Sequence, residues 1–209
     1  MARGRPREFD REKALTAAML LFWRKGYHAT SQRDLAEALG IAMPSLYAAF
    51  GSKESLYVEA VDLYMQVSRD LLWRHLEESG TARDAIRELL LSTARELTDC
   101  HAHPVGCMVT LANVDEDMPP AVATAIRKAR CDWLDVVLER LKSAVDDGEL
   151  PSSTDVNSLS RLYVAIIQGI AVQAHDGADL VELKTVVDLA MTAWPVNAAN
   201  SPSRPAASV

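Results

Sequence analysis

Three cysteines in 209 residues are too few, and odd in number, for a disulfide framework. They are expected as reduced thiols, the state a cytoplasm maintains. Long apolar runs are also missing. No such run follows the basic start, so no signal peptide is expected. The most apolar segment, Leu162 to Val172, is interrupted by Gln168 and Gly169. It falls short of the ~20 residues that cross a bilayer, so no membrane partner is expected. There is no glycine-rich phosphate loop, no G-x-S-x-G, no H-E-x-x-H and no C-x-x-C. The histidines are scattered: His28, His75, His101, His103 and His175. Catalysis, a cofactor and a structural metal are therefore not expected, and the protein does not read as an enzyme. Phenylalanine is scarce at three residues, glycine at nine, while Ala and Leu abound, which favours helices.

Net positive charge is lacking too, at -7 for the whole chain. The deficit is uneven. Residues 1–53 hold nine Lys/Arg and five Asp/Glu, a balance of +4. The remainder holds thirteen and twenty-four, a balance of -11. A basic head on an acidic body suits phosphate binding confined to one end, with the body repelling the duplex and so helping orient the head.

Within that head, Thr30 to Lys53 (TSQRDLAEALGIAMPSLYAAFGSK) reads as two short helices and a tight turn. Ser31 with Asp34 forms the S-x-x-D version of a capping box. Leu35, Ala36 and Leu39 give one apolar face. Gly40 stands where a left-handed cap is wanted, and Ile41 anchors the turn. Pro44 suits the first turn of the second helix, where a missing N–H costs nothing. Leu46 and Phe50, four residues apart, return that helix to the core. Gly51 ends it and Ser52 can cap the next. This is a helix-turn-helix pattern, whose second helix fits the major groove of B-DNA. Its outward positions, Ala42, Ser45, Tyr47, Ala48 and Ala49, are small or hydrogen-bonding.

These residues carry a resemblance. The run from Phe9 to Tyr57 resembles the N-terminal domain of the TetR (tetracycline-repressor-like) family of transcriptional regulators. The matching features are Gly26-Tyr27, Thr30-Ser31, Asp34-Leu35-Ala36, Leu39-Gly40-Ile41, Leu46-Tyr47, Phe50, and Ser52-Lys53 before an acidic residue. Ala49 departs from the pattern, standing where many members carry histidine. The resemblance implies an all-α fold of about nine helices: an N-terminal three-helix helix-turn-helix domain and a C-terminal helical ligand-binding and dimerisation domain. It implies a homodimer on a near-palindromic double-stranded operator, released by a small-molecule inducer, most simply as a repressor.

Boundaries are expected at 1–53 for the DNA-binding domain, 54–195 for the body and 196–209 for a disordered tail rich in Ala, Ser, Asn and Pro. Met1 to Arg7 reads as a flexible basic arm. A first helix is expected from Glu8 to Lys25, stopped by Gly26. A long lever helix is expected from Glu54 to about Glu78, with Leu56, Val61, Leu63, Val67, Leu71 and Leu72 among its apolar positions, and Ser79-Gly80 breaking the chain after it. Further helices are expected from Thr81 to Asp99, from Pro119-Pro120 to Asp146, from a Ser152/Asp155 cap to His175, and from Asp179 to Trp194.

The DNA contacts expected are Thr30, Ser31, Gln32, Arg33, Ala42, Pro44, Ser45, Tyr47 and Lys53. The inducer pocket is expected among Trp73, His75, Cys107, Met108, Leu111, Trp133 and Gln168. A two-fold dimer face is expected from the last two helices: Leu162, Ala165, Ile166, Gly169, Val172, Leu183, Val187 and Met191. Two alternatives stay open. One is a metal or thiol-redox sensor using Cys100, His101, His103 and Cys107, although that spacing is not a C-x-x-C type. In the bland reading the same segment joins two helices at a Pro-Gly break, after which Cys107 and Met108 enter the core; Gly106-Cys107 as the start of a short helix resembles a feature of some TetR subgroups. The other alternative is a small-molecule-binding protein or enzyme with a vestigial head.

Overall fold

The computed structural model describes residues 10–78, 80–99, 101 and 103–195, without the side chains of 72, 73, 77 and 78. The basic arm, Ser79, Cys100, the Trp73 side chain and the tail from Val196 lie outside the described residues. Among the described residues there are nine α-helices and no strand.

The head is α1 (Arg11–Ala29), α2 (Gln32–Leu39) and α3 (Met43–Phe50). Asp10 caps α1 by accepting from the Lys13 N–H at 3.1 Å. Ala14, Ala18, Met19 and Phe22 form its buried stripe. Gly26, at φ 77°, breaks the helical path as the sequence indicates, and the chain makes one more turn to Ala29. Ser31 and Asp34 form the expected reciprocal capping box on α2, worth about 1 kcal/mol. Gly40 closes α2 in the left-handed conformation, at φ 65° and ψ 30°. Phe22, Tyr27 and Tyr57 pack edge-on and stacked around one centre, joining α1 to α4.

Ser52 caps α4 (Lys53–Ser68), which starts in the head and buries Leu56, Tyr57, Ala60, Val61, Tyr64 and Ser68. The expected single regular lever is interrupted. Arg69–Trp73 forms a π-helical turn before α5 (Arg74–Glu78). A π turn inserts one residue, so the buried face rotates. Of the expected apolar positions, Val67 before the turn and Leu71 within it face solvent, at 41% and 42% exposure.

The body continues with α6 (Ala82–Thr98), α7 (Pro120–Asp146), α8 (Val156–His175) and α9 (Leu180–Ala190), then a 3₁₀ turn over Met191–Ala193. Thr81 caps α6, and a second capping box, Asp179 with Glu182, starts α9. Asp155, rather than Ser152, is the cap of α8, accepting from the N–H groups of Asn157 and Ser158. Helix α6 is central, packing against α5, α7, α8 and α9. The expected short helix at Gly106-Cys107 is a turn instead. Arg130 of α7 holds that segment, donating to the carbonyls of Val109, Thr110 and Ala112 at 2.8–3.2 Å. A polar lattice of that kind replaces the helical ladder the loop lacks.

Candidate nucleic-acid interface and effector cavity

Helix α3 turns Leu46 and Phe50 into the core and leaves Ala42, Pro44, Ser45, Tyr47 and Ala48 exposed. Tyr47 is 40% exposed, although it is a large aromatic. Ser31, Gln32 and Arg33 lie exposed at the start of α2. Arg33 has no hydrogen bond or ion pair among the described residues, so its guanidinium is free for an outside acceptor. The Asp34 carboxyl is held down to about 2 by the Ser31 N–H, the Ser31 hydroxyl and Lys25, so the cap stays ionised.

Two expected contacts need correction. Thr30 is wholly buried, and its hydroxyl donates to the Gly26 carbonyl at 2.7 Å. It fixes the exit from α1 and presents no side chain outward. Lys53 is partly buried with its ammonium 4.2 Å from the centre of the Tyr27 ring, and burial lowers its pKa. A cation held on an aromatic face is less available to a phosphate than an extended lysine.

A narrow cavity lies between the end of α4, α5, α6, α7 and α8. Its volume is about 20 Å³, the room that one water needs. Tyr64 and Ser68 enter from α4, and Leu76 from α5. Leu89, Thr93 and Leu97, spaced four residues apart, form a stripe along α6. Trp133, Val136 and Val137 come from α7, Ile167 from α8, and Cys107 from the held loop. The Cys107 sulfur accepts from the Tyr64 hydroxyl at 3.2 Å and from the Thr110 N–H at 3.3 Å. Burial raises the Tyr64 hydroxyl well above the ordinary phenol range, and Cys107 pushes the same way, so Tyr64 is a neutral donor.

Of the expected pocket residues, Cys107 and Trp133 line this cavity. His75, Met108, Leu111 and Gln168 do not. Met108 is buried elsewhere in the core, and Leu111 packs beside Gly106. The neighbour Ile167, not Gln168, points inward on α8. The missed residues Leu89, Thr93 and Leu97 carried a signal, their i, i+4 spacing, which core packing produces equally well.

The cavity touches the head through one cluster. Trp23 of α1 donates its indole N–H to the Gly106 carbonyl at 3.1 Å. Its ring meets Tyr64 edge-on and stacks on His103 at 4.6 Å. His103 in turn stands 2.9 Å from both Glu96 and the Pro104 carbonyl. The proposed sensor segment is thus dispersed: His101 is exposed, His103 is committed to Trp23 and Glu96, and Cys107 lines the cavity. Among the described residues no three His, Cys, Asp or Glu side chains gather as a metal would need. None of the described helices is long and apolar enough to cross a membrane.

On α8, Leu162, Ala165 and Val172 are exposed and Ile166 and Gly169 half-buried, forming one outward apolar face. On α9 and the 3₁₀ turn after it the expectation is corrected. Leu183, Val187 and Met191 are buried inside the subunit, while Val181 and Leu189 stand 75% and 70% exposed. Helix periodicity put the apolar residues on both sides, and the inner set meets α6.

A groove-sized helix with a free outer face, joined by a stiff helix to a body with an internal cavity, defines a helix-turn-helix regulator. Residues 14–60 match the family model of bacterial regulatory proteins, tetR family, and residues 80–193 match the tetracyclin repressor-like C-terminal domain. The chain belongs to the TetR family of transcriptional regulators. It is 31% identical over 199 residues to the HTH-type transcriptional repressor ComR of Escherichia coli (strain K12), covering 93% of each chain. It is 29% identical over 190 residues to the transcriptional regulator YezE of Bacillus subtilis (strain 168), covering 90% of this chain and 98% of that one. A solved cysteine mutant of the TetR-family regulator CifR, complexed with 26-base-pair double-strand operator DNA, is 38% identical with a TM-score of 0.86. The match covers 92% of this chain and all of that one.

Proposed function

We propose that the protein is a homodimeric, ligand-responsive repressor that binds a near-palindromic operator and is released from it by a small molecule. The observation that carries this is the outer face of α3, small and polar where the inner face is sealed by Leu46 and Phe50. Ser45 and Ala42 allow close approach to base edges, while Tyr47, Gln32, Ser31 and Arg33 hold the backbone or nearby bases. The operator in the CifR complex and the repressor activity in the name of ComR point the same way.

Dimerisation uses the outward face of α8 with Val181 and Leu189 of α9. Gly169 supports this. A Cβ there would meet only the Gln173 amide, at 4.0 Å, so nothing within the subunit requires glycine. Glycine in a helix costs ~1 kcal/mol against alanine, and a close partner helix is a reason to keep it.

Release is a population shift. The cavity ends of α4, Tyr64 and Ser68, move when a ligand spreads its walls, and α4 with Trp23 carries the motion to the head. A ligand that lowers operator affinity 100-fold must bind the released form better by about 2.7 kcal/mol. Fluorescence anisotropy with duplexes from beside its own gene tests the reading. A preferred site with two half-sites about one helical turn apart is expected. Equal affinity for random duplex at low salt would refute it.

A further inference from the structure

The cavity specifies a chemical class of ligand. Among the described residues no Asp, Glu, Lys or Arg lines it, and the lining is mostly Leu, Val and Ile. An ionised ligand would enter without a counter-charge, at a prohibitive desolvation cost. One lining group is nevertheless unfinished. Trp133 is 7% exposed, and among the described residues its indole N–H has no hydrogen-bond partner. Buried donors are ordinarily paired, and each exception asks for an explanation. Two other polar groups of the lining are already engaged. The Tyr64 hydroxyl donates to Cys107, and the Thr93 hydroxyl donates to the Leu89 carbonyl at 2.7 Å.

The wall has a part that can give. The π-helical turn Arg69–Trp73 lies between two lining residues, Ser68 and Leu76. Such turns are marginal variants of the helix and recur at functional sites. A ligand that enters beside this turn is expected to move α4.

We propose that the effector is a neutral, largely apolar molecule with one hydrogen-bond acceptor, of ketone or ether type, and that Trp133 is the residue that reads the acceptor. This rests on the ligand-responsive reading above and names the ligand class of the same cavity. The acceptor completes the indole N–H, and the carbon skeleton spreads the Leu, Val and Ile walls.

Acetophenone, cumene and benzoate share one heavy-atom skeleton and differ in the group offered to Trp133: acceptor, none, and charge. Binding to the full chain is measured by headspace partitioning for the first two and calorimetry for benzoate, with wild type and Trp133→Phe. Acetophenone binds the wild type, and benzoate binds at least ~100-fold more weakly. Trp133→Phe weakens acetophenone ~10-fold, equivalent to about 1.4 kcal/mol, and leaves cumene within about 2-fold. Cumene bound by the variant shows that the cavity has survived the substitution. Equal losses for both neutral compounds, benzoate matching acetophenone, or no binding of acetophenone overturns the assignment. Operator affinity is read separately. Acetophenone bound as expected with operator affinity unchanged would refute release by ligand and leave the assignment of ligand class standing.

Discussion

Gly106→Ala tests the junction between head and body. Gly106 has φ 84°, a region that costs an L-residue ~1–2 kcal/mol. Its N–H donates to the Leu97 carbonyl at 3.1 Å, and its own carbonyl accepts from the Trp23 indole. A Cβ there would stand 2.7 Å from the Leu111 side chain and 3.2 Å from both the Ala171 carbonyl and the His175 Cβ. Leu111 can swing away, but Ala171 and His175 belong to α8 and cannot. Overpacking of this kind typically costs ~1–3 kcal/mol, so the whole effect is about 2–5 kcal/mol. Gly148→Ala is the control. Its φ is 75°, but a Cβ there meets nothing within 4 Å, so only the backbone strain remains. Urea unfolding at one fixed protomer concentration measures both, because a dimer's stability depends on concentration. Gly106→Ala is expected to lose at least ~1 kcal/mol more than Gly148→Ala. Because the loop must also move off Trp23, operator affinity falls in the folded Gly106→Ala protein and not in the control. Equal stability losses would refute the close packing of this loop on α8.

Further outcomes concern each surface. Leu162→Asp with Val172→Asp gives monomers by sedimentation at micromolar concentration, with helical circular dichroism retained; an intact dimer would displace the interface from α8. Arg33→Ala lowers the salt slope of operator binding by about 1, whereas Lys53→Ala changes it less because its ammonium sits on Tyr27. A larger slope change for Lys53→Ala would reverse that order. The Asp34 cap has a pH signature. Its folded pKa, about 2, is below the ordinary 3.8 of an aspartate, so its stabilisation is complete above the latter and is lost as pH falls towards 2. The advantage of wild type over Asp34→Asn in urea is therefore constant above pH 5 and shrinks from pH 5 to 3. An advantage that grows on acidification would contradict the assigned cap.

Much of the head was legible from its residues because its signals are local. Ser31-Asp34, Gly40, Pro44 and Ser52 act within a few residues of themselves, and they do the same in the fold as in the sequence. The basic head and acidic body were likewise countable, as was the helical character of the body. Three things needed the tertiary structure. Thr30 reads as a surface threonine until Gly26 is seen to turn the chain back and bury it. Leu183, Val187, Val181 and Leu189 all read as apolar helix positions. Periodicity gives their angular order, but only the place of α6 decides which pair faces inward. The cavity is the least local feature, since Tyr64, Thr93, Cys107, Trp133 and Ile167 come together only when five segments pack, and no spacing along the chain encodes that meeting. Short-range hydrogen bonding thus determined where the helices start and stop, while the mutual packing of distant helices decided which side chains are left free to meet a ligand or a second copy.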